Sequence, residues 1–255
     1  MRQSVIELRE FYASPLGRAA RRMVSRQLTE AWGVAGGMDV LALGYATPFV
    51  DAMAAQARRV VAGMPSGQGV ETWPIGERNR ACLADEAALP LANALFDRIL
   101  AVHALEECDN AQAVLSEICR VLAPTGRAIL VVAARHGLWA DDETSPFGHG
   151  RPFSRRQLER LVRAVGLEPI SWTRALYCPP VRWLARWSNG FEQIGAWLWP
   201  PFAGLILMEV MKENVVASPL AHRALQRVRA APVLRPAGLV GTRDAQVVAK
   251  PQQPL

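Results

Sequence analysis

The stretch Asp39-Val-Leu-Ala-Leu-Gly44-Tyr-Ala-Thr-Pro48 decides how this chain reads. Val40 to Leu43 form an unbroken apolar run between an acid and a glycine. A strand buried on both faces looks like this, because neither face needs polar residues and no alternation develops. Gly44 brings no Cβ, so the backbone there can approach a neighbouring strand or a ligand closely. Pro48 suits the start of a helix, where its missing amide is no loss. Strand, tight turn and helix in that order place the turn beyond the carboxyl end of a strand, the edge at which open α/β sheets bind ligands.

The same texture continues outward. A helical stretch at 49–56 leads to a second apolar run at 59–63, then to strand candidates at 80–84 and 96–102. Residues 111–122 are an amphipathic helix with Val114, Leu115, Ile118, Val121 and Leu122 on one side; Ala123-Pro-Thr-Gly126 then predicts a turn. The clearest strand is 127–132. A helix at 154–165 is capped by Ser154, and a late strand falls at 205–211. Upstream, residues 4–32 read as two helices broken at Ser14-Pro15 and Gly17. Alternating strands and helices with short connections predict an α/β fold, a doubly wound and mostly parallel sheet with helices on both faces. The expected organisation is N-terminal helices over 1–36, an α/β domain over 37–214 and a basic, Pro-rich, mobile tail over 215–255. A Trp-rich helical cap is expected at 172–203.

With 255 residues, 51% of them hydrophobic and 20% charged, the chain can bury the core of one α/β domain with additions. The net charge of +6 raises nucleic acid or an anionic surface as partners. The arginines are spread along the chain and no RNA-binding motif accompanies them, so nucleic acid is not favoured. Cys82, Cys108, Cys119 and Cys178 form no C-x-x-C pair and have no His at zinc-ligand spacing, as expected of reduced thiols in a cytoplasmic protein with no metal. No apolar stretch follows Arg2, Glu7 and Arg9, so a secretory signal is not expected. The uncharged run from Gly195 to Met208 is broken by Pro200 and Pro201 and is too short to span a bilayer.

Three stretches, in order, resemble the class I S-adenosylmethionine-dependent methyltransferases, in particular the type 11 methyltransferase domain. The first is the run from Asp39 to Pro48, in which Gly44 matches the first glycine of the family's turn while Ala46 and Pro48 stand for the next two. The second is Ala84-Asp85-Glu-Ala-Ala-Leu-Pro90 followed by Phe96-Asp97. The third is Ala101-Val-His103-Ala-Leu105-Glu106 with the helix, turn and strand after it. The resemblance covers residues 39–168 and implies S-adenosylmethionine as cofactor. By it, Gly44, Tyr45, Ala46 and Thr47 frame the methionine side, Met64 closes the second strand, Asp85 and Glu86 hold the adenine, and Ala101 and Val102 line the reaction site. His103 is the candidate general base. The family's acid at the end of the second strand has no counterpart in Ala62-Gly63-Met64-Pro65; Glu71 and Glu77 lie beyond it.

The function so implied is methyl transfer to a small or lipid-like acceptor. The alternative is a non-catalytic binding or regulatory protein on a decayed methyltransferase fold, to which the altered glycine turn and the absent acid point. The segment with Trp172, Trp183, Trp187, Trp197 and Trp199 among Arg174, Arg182 and Arg186 is open to three readings: a roof over an apolar acceptor, a peripheral membrane contact, or a cap packed on the core. His149 and Arg151, in the turn-rich stretch 145–154, are candidates to meet a substrate. The sequence names no oligomeric state.

Overall fold

A computed structural model describes residues 2–33, 35–140, 142, 144–177 and 203–213. The expectations for 178–202 and for the tail at 215–255 fall outside these residues. Thirteen elements run in the order α1 (Val5–Ala13), α2 (Pro15–Trp32), β1 (Asp39–Gly44), α3 (Thr47–Ala54), β2 (Arg59–Pro65), β3 (Ala81–Ala84), β4 (Phe96–Val102), α4 (Ala111–Val121), β5 (Leu122–Ala133), a 3-10 turn (Pro146–Gly148), α5 (Arg155–Ala164), β6 (Leu167–Ala175) and β7 (Leu205–Lys212). The strands form one sheet in the order β3-β2-β1-β4-β5-β7-β6. The first five are parallel, and β7 runs antiparallel between β5 and β6. This is the doubly wound, mostly parallel sheet that the alternation of strands and helices predicts.

The absence of alternation in β1 has its cause in the two faces. Val40 and Ala42 pack with Leu8, Val24, Leu28 and Phe49 of the helices on one side, while Leu41 and Leu43 pack with Leu115, Ile118 and Leu158 on the other. Strand β4 divides in the same way, Leu100 and Val102 against Ile99 and Ala101. At the amino ends the buried Asp39 carboxylate accepts from Arg58 Nε and Arg59 Nη2, both at 3.0 Å. Its amide donates to Asp97 Oδ2 at 2.9 Å, so the Phe-Asp pair at the start of β4 ties strands together.

Helices start where their caps predict. Ser4 and Glu7 form a capping box on α1. Ser14 ends α1 and caps α2 through the Gly17 amide at 3.0 Å, with Pro15 in the first turn. A Cβ on Gly17 would strike the Phe11 carbonyl, so the joint between the two helices is tight. Asn110 accepts from the Gln112 and Ala113 amides at 3.1 Å to start α4, and Ser154 caps α5.

Two expectations are corrected. Residues 123–126 do not separate α4 from a later strand. They bulge within β5, where Leu122 pairs with Phe96 and the register resumes at Arg127 opposite Arg98. Residues 172–175 do not open a helical cap. They complete the edge strand β6, where Trp172 pairs with Met208 and Ala175 with Leu205. Polar residues at 171 and 173 and Pro169 hide this strand from a reading of apolar runs, and its pairing with β7 creates it.

The Arg58 and Arg59 guanidiniums hold the Asp39 carboxyl below its usual 3.8. A depressed acid stabilises the fold above the unfolded-state value and loses that contribution as pH falls through the folded one. Asp39→Asn is expected to cost about 1 kcal/mol at pH 7, the exposed arginines limiting the effect through solvent screening. The cost should shrink below about pH 4, and urea denaturation of both proteins at pH 7 and pH 3 measures it.

Candidate active site

The glycine turn meets β4 at the carboxyl edge of the sheet. Gly44 has φ +78°, and a Cβ on it would run into the Val102 carbonyl and crowd Ala104. The Tyr45 amide then donates to that same carbonyl at 2.8 Å. Ala46 leads into α3 with no side-chain cap, Thr47 is buried behind it, and Pro48 lies in the helix's first turn. Ala101 and Val102 are buried at the end of β4, and Met64 at the end of β2.

Around this turn the structure gathers residues from distant parts of the chain. The Tyr45 hydroxyl donates to Glu71 Oε1 at 3.0 Å, and Arg9 stands 3.6 Å from the same carboxylate. The Glu71 amide lies 3.5 Å from Met64 Sδ. The loop after β2 therefore folds back and sets a carboxylate beside the glycine turn, from a position seven residues past Met64. Gln68 in this loop donates to the Gly44 carbonyl at 3.4 Å and receives the Val5 amide at 2.8 Å on its own carbonyl. Burial and the Glu71 charge push the Tyr45 phenol up, so it stays protonated.

Asp85 is exposed, and its Oδ1 receives the Ala87 amide at 2.8 Å. Glu86 is buried, and its carboxylate pairs with Arg2. His103, with φ +52°, turns inward: Nε2 shares a hydrogen bond with the Tyr12 hydroxyl at 2.9 Å, and the ring lies 4.8 Å from that of Phe147. Burial and the Arg2 charge lower it to about 3, so the imidazole is neutral at physiological pH. Tyr12 also stacks on Tyr45 at 5.7 Å and meets Phe49 edge-on. The 145–154 stretch closes over this corner through Phe147, while the Arg151 amide donates to the Glu106 carbonyl at 2.7 Å. His149 is half-buried and the Arg151 side chain exposed.

The structure thus brings Gly44, Tyr45, Met64, Val102 and His103 together, and leaves the Asp85 carboxylate at the surface. Arg2, Tyr12, Gln68, Glu71 and Glu106 join the cluster without any assignment from spacing. Arg2 and Tyr12 precede the segment that carries the resemblance, and the place of Gln68 and Glu71 depends on how a loop closes. Among the described residues, the buried polar atoms without a hydrogen-bond partner in the protein include Arg2 Nε, Gln68 Oε1, Glu106 Oε2 and Glu107 Oε1, all on residues of this corner. Unmet donors and acceptors gathered in one buried place suit a polar ligand bearing both kinds of group. A separate groove of about 220 Å³ lies between α2 and the β5-β7-β6 part of the sheet, lined by residues such as Gln27, Trp172 and Glu209. Its buried carboxylate, Glu209, is taken up by Arg127 and Ser171.

Glu106 accepts the Ala133 amide at 2.9 Å, and burial pushes its carboxyl up from 4.5 to about 7. A raised acid binds its proton more tightly when folded, so stability is fullest below pH 4.5 and falls as pH rises toward 7, by about 3 kcal/mol. Glu106→Gln keeps an acceptor for the amide and removes the charge. The variant should gain stability relative to the parent over that interval, and the difference between their urea denaturation curves at pH 4.5 and pH 8 isolates this group from His103.

The comparisons with known proteins agree with this fold. The profile of a family described as a methyltransferase domain matches residues 38–130. No curated protein matches the chain. Among solved structures, an S-adenosylmethionine-dependent methyltransferase of Thermotoga maritima is similar, with 18% identity and a TM-score of 0.56 over 82% of this chain and 96% of that one. The 1,6-didemethyltoxoflavin-N1-methyltransferase of Burkholderia thailandensis, solved with 1,6-didemethyltoxoflavin and S-adenosylhomocysteine, has 21% identity and a TM-score of 0.52 over 76% and 79% of the two chains. The geranyl diphosphate C-methyltransferase of Streptomyces coelicolor A3(2), solved with Mg2+, geranyl diphosphate and S-adenosyl-L-homocysteine, has 14% identity and a TM-score of 0.54 over 74% and 76%. At these identities the structures establish the fold. Among the described residues no helix is long and apolar enough to cross a membrane, and no His, Cys, Asp and Glu group of three could hold a metal ion. Residues 38–130 match a methyltransferase domain, and the chain has the fold of the class I methyltransferases.

Proposed function

We propose that this protein transfers a methyl group from S-adenosylmethionine to a small or lipid-like acceptor. The observation that carries the reading is the cluster of unpartnered buried polar atoms beside the glycine turn, at the edge where this fold binds its ligand. When bound, the cofactor supplies an activated methyl group on a sulfonium, which already contains a good leaving group. Gly44, Tyr45, Ala46 and Thr47 frame the methionine side, with Met64, Ala101 and Val102 as its walls. Glu71 takes the ribose-facing part that no residue at the end of β2 supplies, its carboxylate being held beside Tyr45. Asp85 accepts from the adenine, and Glu86, whose side chain is engaged by Arg2, contributes its amide.

The protein's own work in this reading is alignment and exclusion of water. Tyr12, Tyr45, Phe147 and His103 form an aromatic wall on the acceptor side. His103 is too weakly basic, while bonded to Tyr12, to draw a proton from most acceptors, which favours a positioning part for it over that of general base. The two acceptors bound by the Burkholderia and Streptomyces enzymes, a heterocycle and a prenyl diphosphate, illustrate the range of the class. A peripheral contact with an anionic membrane rests on Trp172, with Arg155 4.2 Å and Arg174 5.3 Å from its ring.

A second reading, a non-catalytic binding protein on the same fold, is favoured by Ala46 and Pro48 at the glycine positions and by Arg2 on Glu86. Calorimetric titration with S-adenosylmethionine and S-adenosylhomocysteine separates the two. Micromolar binding, worth about 8 kcal/mol, is expected, and no heat with an unshifted melting curve would favour the second reading. Glu71→Ala and Asp85→Ala should each weaken binding about tenfold, or 1.4 kcal/mol. An unchanged affinity would remove that residue from the site.

A further inference from the structure

We infer that Arg2 is an internal cation that closes the cofactor site and must be displaced before the cofactor binds. The inference rests on the cofactor reading above. The chain ahead of α1 runs across the carboxyl edge of the sheet. Its contacts there are specific: the Gln3 amide donates to Glu107 Oε2 at 2.9 Å, and the Val5 amide to the Gln68 carbonyl at 2.8 Å. The Arg2 stem passes over Gly67, in the loop after β2, where a Cβ would lie 3.5 Å from Arg2 Cδ. The Arg2 side chain is 9% exposed. It pairs with the Glu86 carboxylate and donates to the carbonyls of His103 and Ala104 at 3.5 and 3.3 Å.

These partners belong to the two loops, after β3 and after β4, that the cofactor reading assigns to adenine and to the reaction site. A guanidinium seated between these two loops and a cofactor seated there exclude one another by occupying the same space. The closure is also incomplete. Arg2 Nε has no hydrogen-bond partner and stands 4.0 Å from Glu107, whose Oε1 is likewise unpartnered, as is Gln68 Oε1. A buried ion pair repays its desolvation only with good geometry and every hydrogen bond made. An ill-satisfied one is poised to exchange for a ligand that satisfies the site better.

A site open only part of the time binds with an affinity reduced by the open fraction. Removing the plug should therefore tighten binding, chiefly by faster association. Arg2→Ala tests this in the 255-residue chain, and Arg2→Met repeats the test while keeping an apolar stem over Gly67. Binding of S-adenosylhomocysteine is followed by calorimetry and stopped-flow fluorescence, with melting curves to confirm folding. In the parent, exchange of the Gln3 and Val5 amides is followed with and without that ligand. The expected result is affinity about tenfold tighter in either folded variant, carried by the association rate, with faster amide exchange in the parent when ligand is bound. Parent and variants binding equally, or the variants more weakly, would overturn the plug and leave Arg2 as a structural clamp or a ligand contact. If neither parent nor variants bind, the cofactor reading itself fails and the plug falls with it.

Discussion

The candidate site of this protein depends on one close approach. Gly44 lies in register with Val102, and the turn that begins there doubles back so that the next amide reaches the Val102 carbonyl. That path needs a positive φ and leaves no room for a Cβ, so backbone sterics alone dictate the residue. Everything nearby inherits its position from this contact. Tyr45 is aimed at Glu71, α3 starts where it does, and the loop after β4 is forced inward, placing His103 against Tyr12. The candidate edge is therefore positioned mainly by main-chain geometry, with Ala46 and Pro48 at positions where the resembling family usually has glycine.

How much of this was legible follows the range of the interactions concerned. Buried parallel strands declare themselves by unbroken apolar runs, and β1, β2, β4 and the inner part of β5 were readable for that reason. The start of α5 was readable through Ser154, because a cap acts over three or four residues. The edge strand β6 was not, since Glu168, Pro169, Ser171 and Thr173 blur the pattern and its partner β7 lies some forty residues on. At the site, Gly44 and Tyr45 could be found from local chemistry. Glu71 and Arg2 could not, because each reaches the corner through a chain path that no spacing rule encodes.

The charge pattern of the corner repeats this division. Four carboxylates, Glu71, Glu86, Glu106 and Glu107, converge there with the arginines Arg2 and Arg9. Along the sequence, apart from the adjacent Glu106 and Glu107, they are scattered and look like ordinary surface charge. Folding removes most of the water from all of them but Arg9. The result is a corner in which Glu106 holds its proton near neutrality and His103 refuses one, the reverse of how the two groups behave in solution.

The antiparallel pairing of β6 with β7 has a consequence for how such a protein can diversify. Ala175 and Leu205 face each other at the end of the sheet that also bears Ala133, and the Gly204 amide is tied to the Leu176 carbonyl at 2.9 Å. The chain between them therefore leaves and rejoins the sheet at a clamped doorway on the carboxyl edge that holds the candidate site. Closure entropy rises only logarithmically with the length of chain spanning such a doorway, about 0.6 kcal/mol for each doubling. Insertions, deletions or wholesale replacement can accumulate there without disturbing the strand register. The fold thus offers an exchangeable port beside a fixed cradle, through which ancestry can change what is handled while leaving the machinery that handles it in place.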